Sequence, residues 1–383
     1  MNRRFVAAAW AVALLAVPAR AECEKKKMVT EIGKRFTDGH SYDPMTPVGE
    51  PPAKYTRVNM RVANAATGRW SLIVRDSRFH LIQTFTNDDF KDINNRWTAR
   101  VPGAEVWFEL DRSPEAATVG VIYDYFIAMP EAGEHPYYSI QGAKPAYVPL
   151  YLMTAIPAVT RRLGDYVGFL MTSNGGNGKP AWTCSGVMVT PVHFLTNWHC
   201  GAPPESEEKD FWTSTVLRES IIDLSWDDDQ LSREYAVEGM VSSDPDLDYA
   251  LLRVAPLTGD RIPNGAVISR AALKENDGLH LIHHPLADRK QISSCNVFRA
   301  SAASWRKHVA GIDFTHKCDT EAGSSGGAVF NGAGQLVGLH HRGFDYTDDC
   351  QPDNENKAVH IGAILDHIHA KDPAIAPLLR MAP

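Results

Sequence analysis

The sequence predicts an all-β protein, a small β-sandwich domain followed by a double β-barrel. Two stretches of short β-prone runs, broken by polar turns, carry that expectation. The first covers residues 56–132. The second starts at Asp165 and holds about ten such runs, with few helical patterns before the C-terminus. A third observation separates them: residues 133–164 are a mixed connection, GEHPYYSIQGAKPAYVPL and then a short helical run, MTAIPAVTRRL, interrupted by Pro157.

Residues 1–21 have the pattern of a signal peptide. Arg3 and Arg4 precede an apolar run from Phe5 to Pro18, and Ala19-Arg20-Ala21 supplies small residues where a signal peptidase reads. The expected cut follows Ala21. The run is too short for a comfortable membrane span, and no later stretch has enough uninterrupted apolar residues, so no stable membrane insertion is expected. Residues 22–55, ending in MTPVGEPPAKY, read as a leader or linker.

Within 56–132, YTRVNMRVAN alternates through Val58, Met60 and Val62. RWSLIVRD, FHLIQTF, WTARVPGAEVWFELD around Pro102-Gly103, and TVGVIYDYFIAM follow. Trp70, Trp97 and Trp107 are expected in core or interdomain packing, and His80 in a structural or exposed place. From 165 to 383 the strands are YVGFLMTS, WTCSGVMVTP, HFLTNWHC, TSTVLRESIIDL, YAVEGMVS, YALLRVAPL, HLIHHP, KQISSCNVF, SGGAVFN, QLVGLHHRG and NKAVHI. GAILDHIHAKDPAIAPLLR then places Ile364 and Ile368 on one side of a short helix that Pro373 ends.

Lys and Arg number 39 against 46 Asp and Glu, a formal charge of −7. No basic block tracks a phosphate backbone, which argues against nucleic acid as a partner. Six cysteines, Cys23, Cys184, Cys200, Cys295, Cys318 and Cys350, all lie after the signal segment. They fit disulfides in an oxidising compartment, so the expected location is secreted or periplasmic. The acidic WDDDQ, Asp227 to Asp229, has no closed calcium-loop signature and reads as a solvated turn. No metal or organic cofactor is expected.

Three contexts stand in the order His, Asp, Ser: His199 in FLTNWHC, Asp248 in DLDYALLRV, and Ser325 in CDTEAGSSGGAVF. A serine hydroxyl is a weak nucleophile near neutral pH. It needs an imidazole to take its proton and a carboxylate to fix that imidazole's tautomer. Asp248 is favoured over Asp244 and Asp246 because it borders the apolar strand Tyr249-Ala250-Leu251-Leu252, and an orienting carboxylate must sit beside the core. In Gly323-Ser324-Ser325-Gly326-Gly327 the glycines permit a turn that aims the backbone N–H groups of Gly323 and Ser325 at a developing oxyanion.

These motifs resemble those of the trypsin-like, chymotrypsin-fold serine peptidases over residues 165–370. CDTEAGSSGG, LVGLHHRG and NKAVHIGAIL look closer to the bacterial glutamyl- and lysyl-endopeptidase-like branch. The resemblance implies a secreted serine endopeptidase acting on protein or peptide substrates through an acyl-enzyme. It makes Ser325, rather than Ser324, the nucleophile, and implies a Cys184–Cys200 disulfide. It also implies a substrate pocket at Asp319, Thr320 and His340. Thr320 with a partly charged His340 would receive an acidic side chain. Asp319, or the loop carrying Asp345, Asp348 and Asp349, would instead receive Lys or Arg. His341 reads as a rim residue. Cys350 is open to pairing with Cys318, or with Cys23, leaving Cys295 to Cys318. Two further readings stay open: an inactive trypsin-like binding or adhesion protein, and a removable prosegment formed by residues 22 to about 160.

Overall fold

The computed structural model describes residues 40–41, 47–49, 53–90, 95–129, 140–141, 144–151, 155–175, 181–202, 211–227, 233–259, 261–262, 264–344 and 353–383. The signal segment, Cys23, Cys350 and the acids Asp345, Asp348 and Asp349 lie outside these residues.

Two sheets form the N-terminal layer pair. In the first, Tyr55–Ala63 pairs with Gly120–Met129 on one side and with Asn95–Trp97 and Val101–Pro102 on the other. In the second, Trp70–Arg75 runs between Leu81–Thr86 and Trp107–Arg112. Burial alternates residue by residue along Trp70–Arg75, the period of a strand with one face inward. Val58, Met60 and Val62 meet Leu72, Val74 and Phe85 between the sheets. Parts of the expected leader join this unit: His40–Ser41 pairs with Gly120–Met129, and Val48 is buried in its core.

Two closed barrels follow, as the strand-rich second half predicts. The first contains β1 (Val167–Ser173), β2 (Ala181–Thr190), β3 (His193–Thr196), β4 (Ile221–Asp223), β5 (Glu234–Asp244) and β6 (Tyr249–Thr258). They close in the order β1-β2-β3-β6-β5-β4. The second contains β7 (Gly278–His283), β8 (Gln291–Ala303), β9 (Ala310–His316), β10 (Ala328–Asn331), β11 (Leu336–Arg342) and β12 (Asn356–His360). Its ring runs β10-β7-β8-β9-β12-β11 and closes through β10–β11 pairing. Every residue of β2 is buried, because barrel closure covers one face and the neighbouring barrel the other. Val187, Leu195 and Leu251 of the first barrel share one core with Ile282, Phe330 and Leu339 of the second. The C-terminal helix Ile361–Lys371 adds Ile361, Ile364 and Ile368 to that core.

Local chemistry overrides the sequence pattern in three places. TSTVLRESIIDL is not one strand. The Thr213 hydroxyl accepts the Val216 N–H, capping a helix over Ser214–Glu219, and only Ile221–Asp223 pairs as strand. Pro157 precedes the helix Ala158–Arg161 rather than interrupting it, a place where its missing N–H costs nothing. Asp227 is not solvated: its carboxylate meets Lys290 Nζ at 2.8 Å, with both side chains buried.

The sandwich is joined to the first barrel by buried charge and apolar surface. The Arg57 guanidinium, fully buried, contacts Asp223 at 2.9 Å and also pairs with Glu234. Arg100 reaches Asp223 at 3.1 Å. Tyr55, Trp97, Ile127 and Met129 pack with Phe169, Met171, Ile221 and Trp226 across the same junction. Trp97 therefore serves interdomain packing and Trp70 the sandwich core. His80, largely exposed, pairs with Asp76 at 3.0 Å.

Candidate active site

β3 and β6 are adjacent in the first barrel, with Thr196 opposite Ala250. His199 follows β3 in the short turn Trp198–Gly201, and Asp248 immediately precedes β6. Strand pairing therefore delivers the two side chains to one place. The His199 backbone N–H donates to Asp248 Oδ1 at 3.0 Å, and Nδ1 lies 2.8 Å from Oδ2. Asn197 Nδ2 donates to the Asp248 carbonyl at 2.9 Å. Asp248 adopts a left-handed backbone (φ 50°), which a short polar side chain tolerates better than most. Burial alone would raise its carboxyl, but the imidazoles of His199 and His341 outweigh that and hold it well below the usual carboxylate range. Its competitors are engaged elsewhere. Asp244 accepts the N–H groups of Asp246 and Leu247 and pairs with His367, and Asp246 pairs with Lys307.

The serine loop is built on two glycines with positive φ, Gly323 (90°) and Gly326 (82°). A Cβ on Gly326 would stand 2.0 Å from the Ser185 carbonyl oxygen, so no other residue fits there. Ser185 anchors the turn: its N–H donates to the Ser325 carbonyl at 2.6 Å and its hydroxyl to the Gly323 carbonyl at 2.8 Å. Among the described residues, the N–H groups of Gly323 and Ser325 have no acceptor. The adjacent Cys184 is bonded to Cys200, next to His199. Two hydrogen bonds from Ser185 and the disulfide of its neighbour Cys184 thus connect the serine loop to the histidine turn. Ser324 is fully buried; its hydroxyl accepts the Glu321 N–H at 3.0 Å and meets His283 Nδ1 at 2.8 Å. Ser325 is the half-buried member of the pair.

The three pocket residues are all buried. Asp319 is taken up by the connecting segment: Oδ1 accepts the Gln141 N–H and Oδ2 the Ala146 N–H, each at 2.7 Å. His340 Nδ1 lies 3.2 Å from His316 Nε2. Burial, reinforced by His316 and His341, drives the His340 imidazole well below its ordinary range. The partly charged ring expected there is therefore a neutral one. Thr320 forms an isolated bridge position before the serine loop.

His341 is not on the rim. It is buried, with Nε2 at 3.0 Å from Asp313 Oδ2 and Nδ1 at 3.4 Å from Asp248 Oδ2. Burial opposes its charge, but the two carboxylates prevail and push it up to about 9. Trp305 sets its ring edge-on to both His199 and His341, each centroid 6.0 Å away. Its backbone N–H donates to Asp313 at 3.1 Å. The sequence reading missed Asp313, Trp305 and Ser185.

Cys295 and Cys318 form the second disulfide among the described residues. Among the described residues, two groups have metal-ligand spacing, Cys184-His199-Cys200 and Cys295-His316-Cys318. In each, both sulfurs are bonded to one another, which removes the thiolates a zinc site needs.

Residues 184–339 match the family model described as trypsin-like peptidase domain. The Mus musculus protein named serine protease FAM111A is 25% identical over 242 residues, 54% of this chain. The chain spans 38% of that relative's length. Among solved structures, Rv3671c from M. tuberculosis H37Rv, in an inactive form, aligns over 61% of this chain and 96% of its own, at 16% identity and TM-score 0.41. The HtrA-type protease AlgW with tripeptide aligns over 56% of this chain and 63% of its own, at 16% identity and TM-score 0.42. In its family match and in its paired barrels, the region spanning residues 184–339 is similar to a trypsin-like peptidase domain.

Proposed function

We propose that this chain is an exported serine endopeptidase. His199 takes the Ser325 proton as the hydroxyl oxygen attacks a peptide carbonyl, and Asp248 holds the imidazole in its Nδ1–H tautomer. The amides of Gly323 and Ser325 receive the oxyanion. His199 then protonates the leaving amine, and water repeats the cycle to release the acyl-enzyme. The observation that carries this reading is the double tie between His199 and Asp248, at 3.0 and 2.8 Å. The burial of Ser324 beside half-exposed Ser325 supports the choice of nucleophile. A serine-directed phosphonylating reagent tests it: adduct at Ser325 supports the reading, and undiminished adduct in Ser325→Ala refutes it.

The same reading extends to specificity for Glu, and less so Asp, before the cut. Asp319 has both oxygens on backbone amides, which leaves it poorly placed to receive a basic side chain. A neutral His340 would recognise a carboxylate by hydrogen bonding, with Thr320 beside it, and the bound anion would draw a proton onto the ring. Residues 40–129 act as a retained module rather than a removed prosegment. The buried Arg57–Asp223–Glu234 contacts support that, as does the pairing of Val148–Pro149 with β8. The two disulfides fit an oxidising, secreted or periplasmic location.

A further inference from the structure

The chain reaches the serine loop through a buried run, Cys318 to Glu321, that hangs on β8. Cys318 is bonded to Cys295, and the Asp319 N–H donates to Ser293 Oγ at 2.9 Å. The Asp319 carboxylate turns the other way, toward the segment that leads from the sandwich to the barrels. Asp319 is 3% exposed, and among the described residues it forms no ion pair. Its two oxygens are instead taken by two backbone N–H groups of that segment, Gln141 on Oδ1 and Ala146 on Oδ2. A buried carboxylate is costly without such donors, and bonds to an ionised acceptor are among the stronger ones. The next residues follow the same course. Tyr147 sets its ring edge-on to His283, centroids 5.5 Å apart. Val148–Pro149 pairs with β8, and the Leu150 N–H donates to the Lys290 carbonyl at 3.1 Å.

We propose that Asp319 is a positioning residue of the candidate active site: by holding the Gln141 and Ala146 amides it braces the serine loop on the connecting segment and keeps Ser325 in register with His199. This rests on the peptidase reading and deepens it. Two routes run from the connecting segment to Ser324, the neighbour of Ser325. The first passes through Asp319 to Glu321, whose N–H donates to Ser324 Oγ and whose carbonyl accepts the Ser324 N–H, each at 3.0 Å. The second passes from Tyr147 to His283, whose Nδ1 lies 2.8 Å from the same hydroxyl. Ser324 is thus the point where both routes meet the loop. A displacement there carries the Ser325 hydroxyl and the amides of Gly323 and Ser325 with it, because one tight turn holds all three. Misplacing a reacting group by about 1 Å costs on the order of 100-fold in rate.

The test uses the folded, full-length chain well below its unfolding midpoint. It reads the rate at which a small phosphonylating reagent with no peptide part labels Ser325. Asp319→Ala should slow labelling on the order of 10- to 100-fold. Asp319→Asn keeps one acceptor oxygen and should fall between that variant and the unmodified chain. Ala146→Pro removes the N–H on Oδ2 while leaving Asp319 in place, and should slow labelling as well. Combined with Asp319→Ala it should add nothing, because both changes break the same bond. A merely structural role would lower the unfolding midpoint and leave the labelling rate of folded protein unchanged. A pocket role would alter the residue preferred before the cut and spare a reagent that fills no pocket. An unchanged rate in Asp319→Ala, or fully additive losses in the double substitution, overturns the proposal. If Asp319→Ala does not fold, unchanged rates in both Asp319→Asn and Ala146→Pro overturn it equally. Those results would defeat this proposal alone, whereas no adduct at Ser325 in the unmodified chain would defeat the peptidase reading with it.

Discussion

Asp248 receives His199 twice, at the backbone N–H and at the ring Nδ1, one carboxylate oxygen for each. The pairing fixes the turn as well as the tautomer. Asp248→Asn should therefore leave the barrel folded and reduce peptide hydrolysis on the order of ten-thousand-fold near neutral pH, because an amide can stabilise the wrong tautomer. Steady-state kinetics with matched circular dichroism would check this. A loss below tenfold would remove Asp248 from the mechanism.

The junction between sandwich and barrel makes a second prediction. Arg57→Ala would leave Asp223 and Glu234 buried without their counter-charge, a loss of about 3–5 kcal/mol. Lys54→Ala breaks a partly exposed pair with Asp288, and should cost under about 1 kcal/mol. Denaturant unfolding of both variants reads the contrast. Equal, small effects would mean that the buried pair contributes little to holding the modules together.

Stability should peak near neutrality. Burial presses His283, His284 and His316 from 6.5 to about 3. Below 6.5 the unfolded chain binds protons that the folded chain refuses, so their contribution is lost as pH falls from 6.5 toward 3. His341 works with the opposite sign. Its value is raised to about 9, so its contribution is complete below 6.5 and lost as pH rises through 9. Each group adds a slope of up to about 1.4 kcal/mol per pH unit within its window. Thermal unfolding of Ser325→Ala across that range should give a dome. A midpoint that climbs steadily below pH 6 would contradict it.

The pocket reading predicts that His340→Gln weakens cleavage after Glu, while labelling of Ser325 persists. A peptide library cut only after Lys or Arg would defeat the acidic-substrate reading.

Much of this was legible in the sequence because barrel strands and glycine turns have strong local signatures. His199, Asp248 and Ser325 each border an apolar strand, and Gly323 and Gly326 occupy backbone positions with positive φ. What stayed hidden depends on the third dimension. Asp313 lies in β9, far from Asp248 in sequence, and only barrel-to-barrel packing joins them through His341. The bulge at His341 breaks the simple alternation that would have assigned its face. The neutrality of His340 follows from burial among other histidines, a property of packing rather than of spacing. Spacing alone leaves Asp319 available for a basic substrate, but in the fold its oxygens accept the N–H groups of Gln141 and Ala146.

Mass spectrometry of the folded, full-length protein after reaction with a serine-directed phosphonate tests the central claim most directly. The account predicts one adduct, at Ser325, formed far more slowly in His199→Ala and absent from Ser325→Ala. No adduct at Ser325 in folded protein, or an equal rate in His199→Ala, would contradict it.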